Sequence, residues 1–284
     1  MKQTLSTPFR LLALDADGTI LDPGGSLRPR VRDAVGEAQR GGVTVVLCTG
    51  RRYRTARRIL EDLDLEGPAV VQNGVRVVNG RSGETLSGRY LPDELYRPVL
   101  DVMRRFGPPL VYIDAPRQDV DIVIDEPEGG HRFQRDYVAQ NIDVIRVIDS
   151  LDRPPSEPVI MMSTMANGTP LEQLATTATR ELGDRIATHH IHNKMYEGHI
   201  LEILSAEANK WNAVEELAHS LGIANEEIFA IGDDQNDRRM LERAGFGVAM
   251  ANAKPEVRAI ADFVTKSNAD EGAAHAIERF VLGR

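Results

Sequence analysis

The feature that most limits what this chain can fold into is a rhythm of short, doubly buried strands. Residues 9–15 (FRLLALD) and 43–48 (VTVVLC) are apolar runs too brief for helices and too uniformly apolar for a sheet with one wet face. Between them, residues 28–40 have helical spacing, with Pro29 suited to a first turn and Gly41-Gly42 stopping the helix. Residues 52–63 read as a second helix and 69–72 (AVVQ) as a third strand. Strands that must be covered on both faces, separated by helices, call for a parallel sheet with right-handed crossovers.

The pattern returns late in the chain. Residues 209–221 read as a helix, 227–231 as a strand, 236–244 as a helix and 246–249 as a strand. Residues 255–261 follow as a helix opening on Pro255, then a short strand at 262–265 and a closing helix at 269–282. The middle is different: strand candidates at 85–90, 110–114, 120–124, 143–148 and 159–165 alternate with helical patterns at 93–106, 129–140 and 170–182. The expected fold class is α/β, a Rossmann-like parallel sheet carrying an inserted α+β domain. The core spans 1–79 and 191–284, and the insert 80–190.

Composition narrows the function classes. The 284 residues carry a net charge of −9, which argues against non-specific nucleic-acid binding. A single cysteine, Cys48, allows no internal disulfide, fits a reducing compartment and is read as buried. Residues 1–10 hold no secretory apolar stretch, and no run approaches the ~18 apolar residues that span a bilayer. The expectation is a cytoplasmic protein with no membrane or nucleic-acid partner, and Asn167-Gly-Thr is read as a loop.

In an open parallel sheet, ligands bind beyond the carboxyl ends of the strands. Asp15 and Asp17 follow the first strand, Cys48-Thr49-Gly50 the second, and Gly232-Asp233-Asp234 the strand at 227–231. Each group alone reads equally as a cap or turn, and Lys210 as an exposed helix residue. Together they place two acid clusters at one sheet edge, where they would repel unless a cation sat between them. A hard ion with oxygen ligands, Mg²⁺, fits, and it would bring a phosphate whose other oxygens a lysine and a threonine could hold.

The order "DADGT", "TGR", a lone lysine opening a helix and "GDDQND" resembles the haloacid dehalogenase superfamily of phosphatases. The stretch "IGDDQNDRRMLERAGFGVAMANAKPEVRAIADFV" is similar to its Cof-type branch (class IIB-like), which carries a large α/β cap between the second and third motifs. The resemblance implies Asp15 as nucleophile and Asp17 as general acid and base, with the Asp17 backbone carbonyl facing the metal. It implies Thr49, Gly50, Lys210 and Asn236 around the phosphate, Asp233 as a further metal carboxylate, and Asp237 orienting Lys210 or a metal-bound water. Arg51 and Asn73 are candidate substrate contacts, though Asn73-Gly74 alone reads as a hairpin turn. The implied activity is Mg²⁺-dependent hydrolysis of small phosphate monoesters, sugar or polyol phosphates, through an aspartyl-phosphate. The cap would close over the site and select the substrate.

The sequence departs from the family's common wording at Ala16, Cys48 and Trp211, and Trp211 is expected to alter cap packing. Asp234 is read as a loop residue. The rival functions are a phosphomutase on sugar phosphates, a hydrolytic dehalogenase, a phosphorylated signalling receiver and a silent binding module. The cluster His189, His190, His192 and His199 fits no zinc spacing and is read as a hinge near the substrate. Met161, Met162 and Met165 are read as cap core.

Overall fold

A computed structural model describes residues 9–116, 118–193 and 198–284. The chain divides into two compact units, Met1–Gly88 with Asn209–Arg284, and Arg89–Ala208.

The first unit is built on five parallel strands in the order Phe263–Val264, Phe246–Ala249, Ile228–Gly232, Leu11–Leu14 and Thr44–Leu47. Leu11 to Leu14 pair residue for residue with Ile228 to Ile231 on one side and Thr44 to Leu47 on the other. Both faces of the central strand are covered, which is why its sequence does not alternate. Leu12 and Leu14 join one apolar cluster with Val45, Leu47 and Phe229, while Leu11 and Ala13 join another with Val46, Ala230 and Val214. Trp211 is fully buried in that second cluster, so it packs beneath the parallel sheet. This corrects the expectation that it would act on the cap: a large apolar ring one residue into the helix Lys210–Ser220 is drawn to the sheet the helix covers.

The third predicted strand does not simply extend the parallel sheet. Pro68–Val71 runs antiparallel to Arg76–Asn79, which pairs in turn with Thr85–Gly88. It meets the parallel sheet through a bridge between Cys48 and Val70, with the Thr49 N–H donating to the Val70 carbonyl at 2.9 Å. The reversal uses Gln72, Asn73 and Gly74, all with positive φ, so Asn73-Gly74 is a turn as its residue types imply.

The second unit is a six-stranded sheet in the order Ile186–Asn193, Gly198–Ser205, Val159–Ala166, Leu110–Ile113, Ile122–Ile124 and Ile145–Val147. All neighbours are antiparallel except the last pair. Helices Asp93–Arg104 and Gly168–Leu182 bury Leu95, Val99, Leu171 and Leu174 with Val111, Met162 and Leu201. Met162 lies in this core, and Met161 and Met165 are also buried.

The unit boundaries fall later than 79/80 and 190/191. Thr85–Gly88 is bound to Arg76–Asn79 and stays with the first unit, whereas Gly198–Ser205 pairs with Val159–Ala166 and belongs to the second. Ladder hydrogen bonds decide both cases, and a run of alternating residues does not announce its partner.

Candidate active site

The strand Leu11–Leu14 ends in a turn that throws Asp15 into the interior. Asp15 is 5% exposed, and one of its oxygens, Oδ1, accepts from the Lys210 ammonium at 2.6 Å. Lys210 opens its helix behind the cap Asn209, whose side chain accepts from the Asn212 N–H at 2.9 Å. It is fully buried, against its reading as an exposed helix residue, and it donates a second time to Asp237 Oδ1 at 2.6 Å. The other Asp237 oxygen accepts from the backbone N–H groups of Asp233 and Asp234 at 3.0 and 3.1 Å. Asp237 therefore clamps the lysine to the loop that follows Ile228–Gly232.

Asp15, Asp233 and Asp237 each bring an oxygen within 4.8 Å of the others, the one such group of potential metal ligands among the described residues. The metal set expected from sequence was Asp15, Asp17 and Asp233. In the structure the third carboxylate is Asp237, but both its oxygens are already engaged. Asp15 Oδ2 is different: it is buried and has no hydrogen-bond partner among the described residues. Among the described residues, the Asp233 carboxylate accepts long hydrogen bonds from Thr19 Oγ1 and Asn252 Nδ2, each at 3.4 Å. A buried carboxylate oxygen without a donor, beside a loosely held carboxylate, leaves the site short of positive charge, which a hard divalent cation near the two carboxylates would supply.

Electrostatics agree. Burial, and then the negative charge of Asp237, push the Asp15 carboxyl well above its ordinary range, against the pull of Lys210. Burial, then Asp237 and Asp234, push Asp233 up to about 7. Burial works against a charged Lys210, but Asp15 and Asp237 outweigh it and hold the ammonium protonated. One ammonium faces three carboxylates, so the pocket is short of positive charge.

The remaining expected residues are distributed around this centre. Gly18, at φ +82°, lets the first turn pass Asp233; a Cβ there would stand 2.2 Å from Asp233 Oδ2. The Thr49 hydroxyl is buried and accepts from the Arg51 N–H at 3.1 Å. Asn236 donates to Asn73 Oδ1 at 2.9 Å, and a Cβ on Gly50 would lie 2.9 Å from that same oxygen, so Gly50, Asn73 and Asn236 form one neighbourhood. The Asp17 carboxylate stands outside the buried group, gripped by the Arg51 guanidinium at 2.7 and 2.6 Å. Asp234 caps the turn at 235–237, accepting from the Gln235 N–H at 2.7 Å, and pairs with Lys254 at 2.6 Å. Burial raises the Cys48 thiol, which keeps it inert.

Sequence reasoning missed Asn252. It donates to the Gly18 carbonyl at 2.8 Å, and its side-chain oxygen accepts from the Asn268 N–H at 2.9 Å. It lies just past Phe246–Ala249, and the rule about strand carboxyl ends would have found it had it been applied to that strand too. The histidine cluster is split over two strands of the second unit. His190 and His199 have ring centroids 5.0 Å apart, and His189 lies 3.6 Å from Glu202. The side chain of His192 lies outside the described part of the structure.

The profile of the haloacid dehalogenase-like hydrolase family matches residues 12–277. YxeH of Bacillus subtilis (strain 168), provisionally named a phosphatase, is 34% identical over 97% of this chain and 100% of its own length. YwtE of the same organism, named 5-amino-6-(5-phospho-D-ribitylamino)uracil phosphatase, is 27% identical over 97% of this chain and 99% of its own. Among solved structures, BT4131, described as a subclass IIB sugar phosphatase, superposes with a TM-score of 0.75 at 20% identity. That match covers 95% of this chain and 98% of the other, and the likeness is one of fold.

Proposed function

We propose that this chain, which belongs to the haloacid dehalogenase-like hydrolases, is a phosphatase of the Cof-type branch that hydrolyses small phosphate monoesters with Mg²⁺ through a phosphorylated Asp15. The observation that carries the reading is the buried, unpartnered Oδ2 of Asp15 beside a charged Lys210. A buried carboxylate oxygen left without a donor costs stability, and a nucleophile needs such an open atom.

Asp15, Asp233 and the Asp17 backbone carbonyl would hold Mg²⁺, which when bound supplies the missing positive charge to the phosphoryl oxygens. The chain's residues do the rest. The Asp15 carboxylate bonds to phosphorus as the bond to the ester oxygen breaks, and Asp17 gives that oxygen its proton. A water then attacks phosphorus, Asp17 takes the proton, and the bond to Asp15 breaks to release inorganic phosphate. Lys210 and Thr49 hold phosphoryl oxygens, with Gly50 and Asn236 beside them. Asp237 fixes the ammonium, so little reorganisation is needed as charge shifts. A relative named for a phosphoribityl substrate supports sugar or polyol phosphates as the class.

The test is a screen of phosphorylated metabolites with Mg²⁺, run beside Asp15→Asn. The variant should lose about 10³-fold or more in kcat while keeping its fold, because an amide is no nucleophile. Undiminished turnover would remove Asp15 from the chemistry.

A further inference from the structure

Arg51 is held as a platform before any substrate arrives. Its N–H donates to Thr49 Oγ1 at 3.1 Å, and its carbonyl accepts from the Gln72 N–H at 3.0 Å. The backbone is thus tied to both the loop after Thr44–Leu47 and the turn after Pro68–Val71. From this base Nε and Nη2 grip the two oxygens of Asp17 at 2.7 and 2.6 Å, a planar fork on a planar acceptor. The Asp17 side chain is 58% exposed and Arg51 33%. Among the described residues, the hydrogen bonds that hold the Asp17 carboxylate to other side chains are these two.

We propose that Arg51 is a positioning residue for Asp17, its rigid guanidinium setting where the proton-transferring carboxylate stands, rather than a direct ligand of the substrate. The inference rests on the assignment of Asp17 to proton transfer. An exposed carboxylate on a short side chain samples several rotamers, and a proton donor must reach one ester oxygen. The guanidinium removes that freedom through two parallel hydrogen bonds. Lysine in its place would supply charge without the fork. The arrangement also explains why Arg51 carries so many constraints for a partly exposed residue. A side chain meant only to attract anions needs no anchoring at both backbone ends.

The experiment is a double-mutant cycle of Arg51→Ala and Asp17→Asn, with Arg51→Lys as the conservative variant, assayed on an alkyl phosphate with Mg²⁺. Arg51→Ala is expected to lower kcat by about 10–100-fold, the scale of a misplaced catalytic group, and to move KM less than about threefold. Arg51→Lys should recover only part of the loss. On the Asp17→Asn background, Arg51→Ala should change kcat by less than about threefold, since there is no proton donor left to position. An aryl phosphate, whose leaving group needs little protonation, should show a smaller Arg51→Ala effect than the alkyl ester. Independent, multiplying losses, or a loss confined to KM, would mean that Arg51 touches substrate and would overturn the proposal. Wild-type kinetics in Arg51→Ala would overturn it too. If Asp17→Asn alone leaves alkyl-phosphate turnover intact, it is the assignment of Asp17 that fails, which the cycle separates from a failure of Arg51.

Discussion

Both units bury polar side chains, and they do so in opposite ways. In the second unit the Gln134 side chain is almost fully consumed. Its Oε1 accepts from Thr164 Oγ1 at 3.0 Å and the Met165 N–H at 2.9 Å, and its Nε2 donates to the Pro108 carbonyl at 2.7 Å. That neutral network closes on itself and serves packing. In the first unit Lys210, Asp15 and Asp237 are ionisable, surrounded by excess negative charge, and leave one carboxylate oxygen open. A closed cluster is complete without anything else. An open one makes physical sense only if something cationic and something phosphorylated completes it.

The comparison can be broken first at Lys210. Lys210→Met leaves two buried carboxylates without their ammonium and should cost about 3–5 kcal/mol in urea unfolding, with turnover reduced to background. Retained stability would show that the pair is not the strained element described. Next, Gln134→Leu strands the Pro108 carbonyl, the Thr164 hydroxyl and the Met165 N–H. It should cost about 1–3 kcal/mol but leave kcat close to wild type, because the network is packing alone. A large kcat loss with unchanged stability would reverse the roles of the two clusters. The smallest effect is the pH dependence of the metal-free protein. Asp233 has its carboxyl pushed up to about 7 by burial and then by Asp237, so the folded chain binds that proton more tightly than the unfolded chain. Its contribution to stability is full below the ordinary carboxylate range and is lost as pH rises toward 7. Thermal melts in a chelator should therefore drop between about pH 4 and pH 7 and level off above, and Mg²⁺ should raise the midpoint more at the higher pH. Asp233→Asn should flatten both trends.

Much of this was legible in the sequence because parallel strands advertise themselves. Leu11–Leu14 and Thr44–Leu47 are apolar on both faces, and their last residues are followed by the polar groups of the site. The identities of Asp15, Lys210 and Asp233 follow from that logic and from the family likeness. The hairpin at 68–88 was harder: Ala69 to Val71 has the composition of a central parallel strand, and only the left-handed turn at Gln72–Gly74 sends it antiparallel. Gly198–Ser205 escaped because His199 and Glu202 interrupt its apolar run, and its partner strand Val159–Ala166 lies some forty residues upstream. Asp237 is expected from sequence to orient a metal-bound water or Lys210; the structure sets it against Lys210, and sequence could not show that both its oxygens would be spent. Asn252 could have been found as a residue just past a strand's carboxyl end, but its partner Gly18 lies far away in sequence and could not be named from it.

The central claim is that Asp15 keeps one oxygen open in order to take a phosphoryl group. The most direct measurement uses Asp17→Asn, which lacks the base for the second half-reaction, mixed with an aryl phosphate and Mg²⁺ and quenched in acid. The account expects a burst of phenol equal to the enzyme present and a phosphoryl group on the peptide containing Asp15. No burst and an unmodified Asp15 peptide, from a protein whose wild type hydrolyses the same ester, would contradict it.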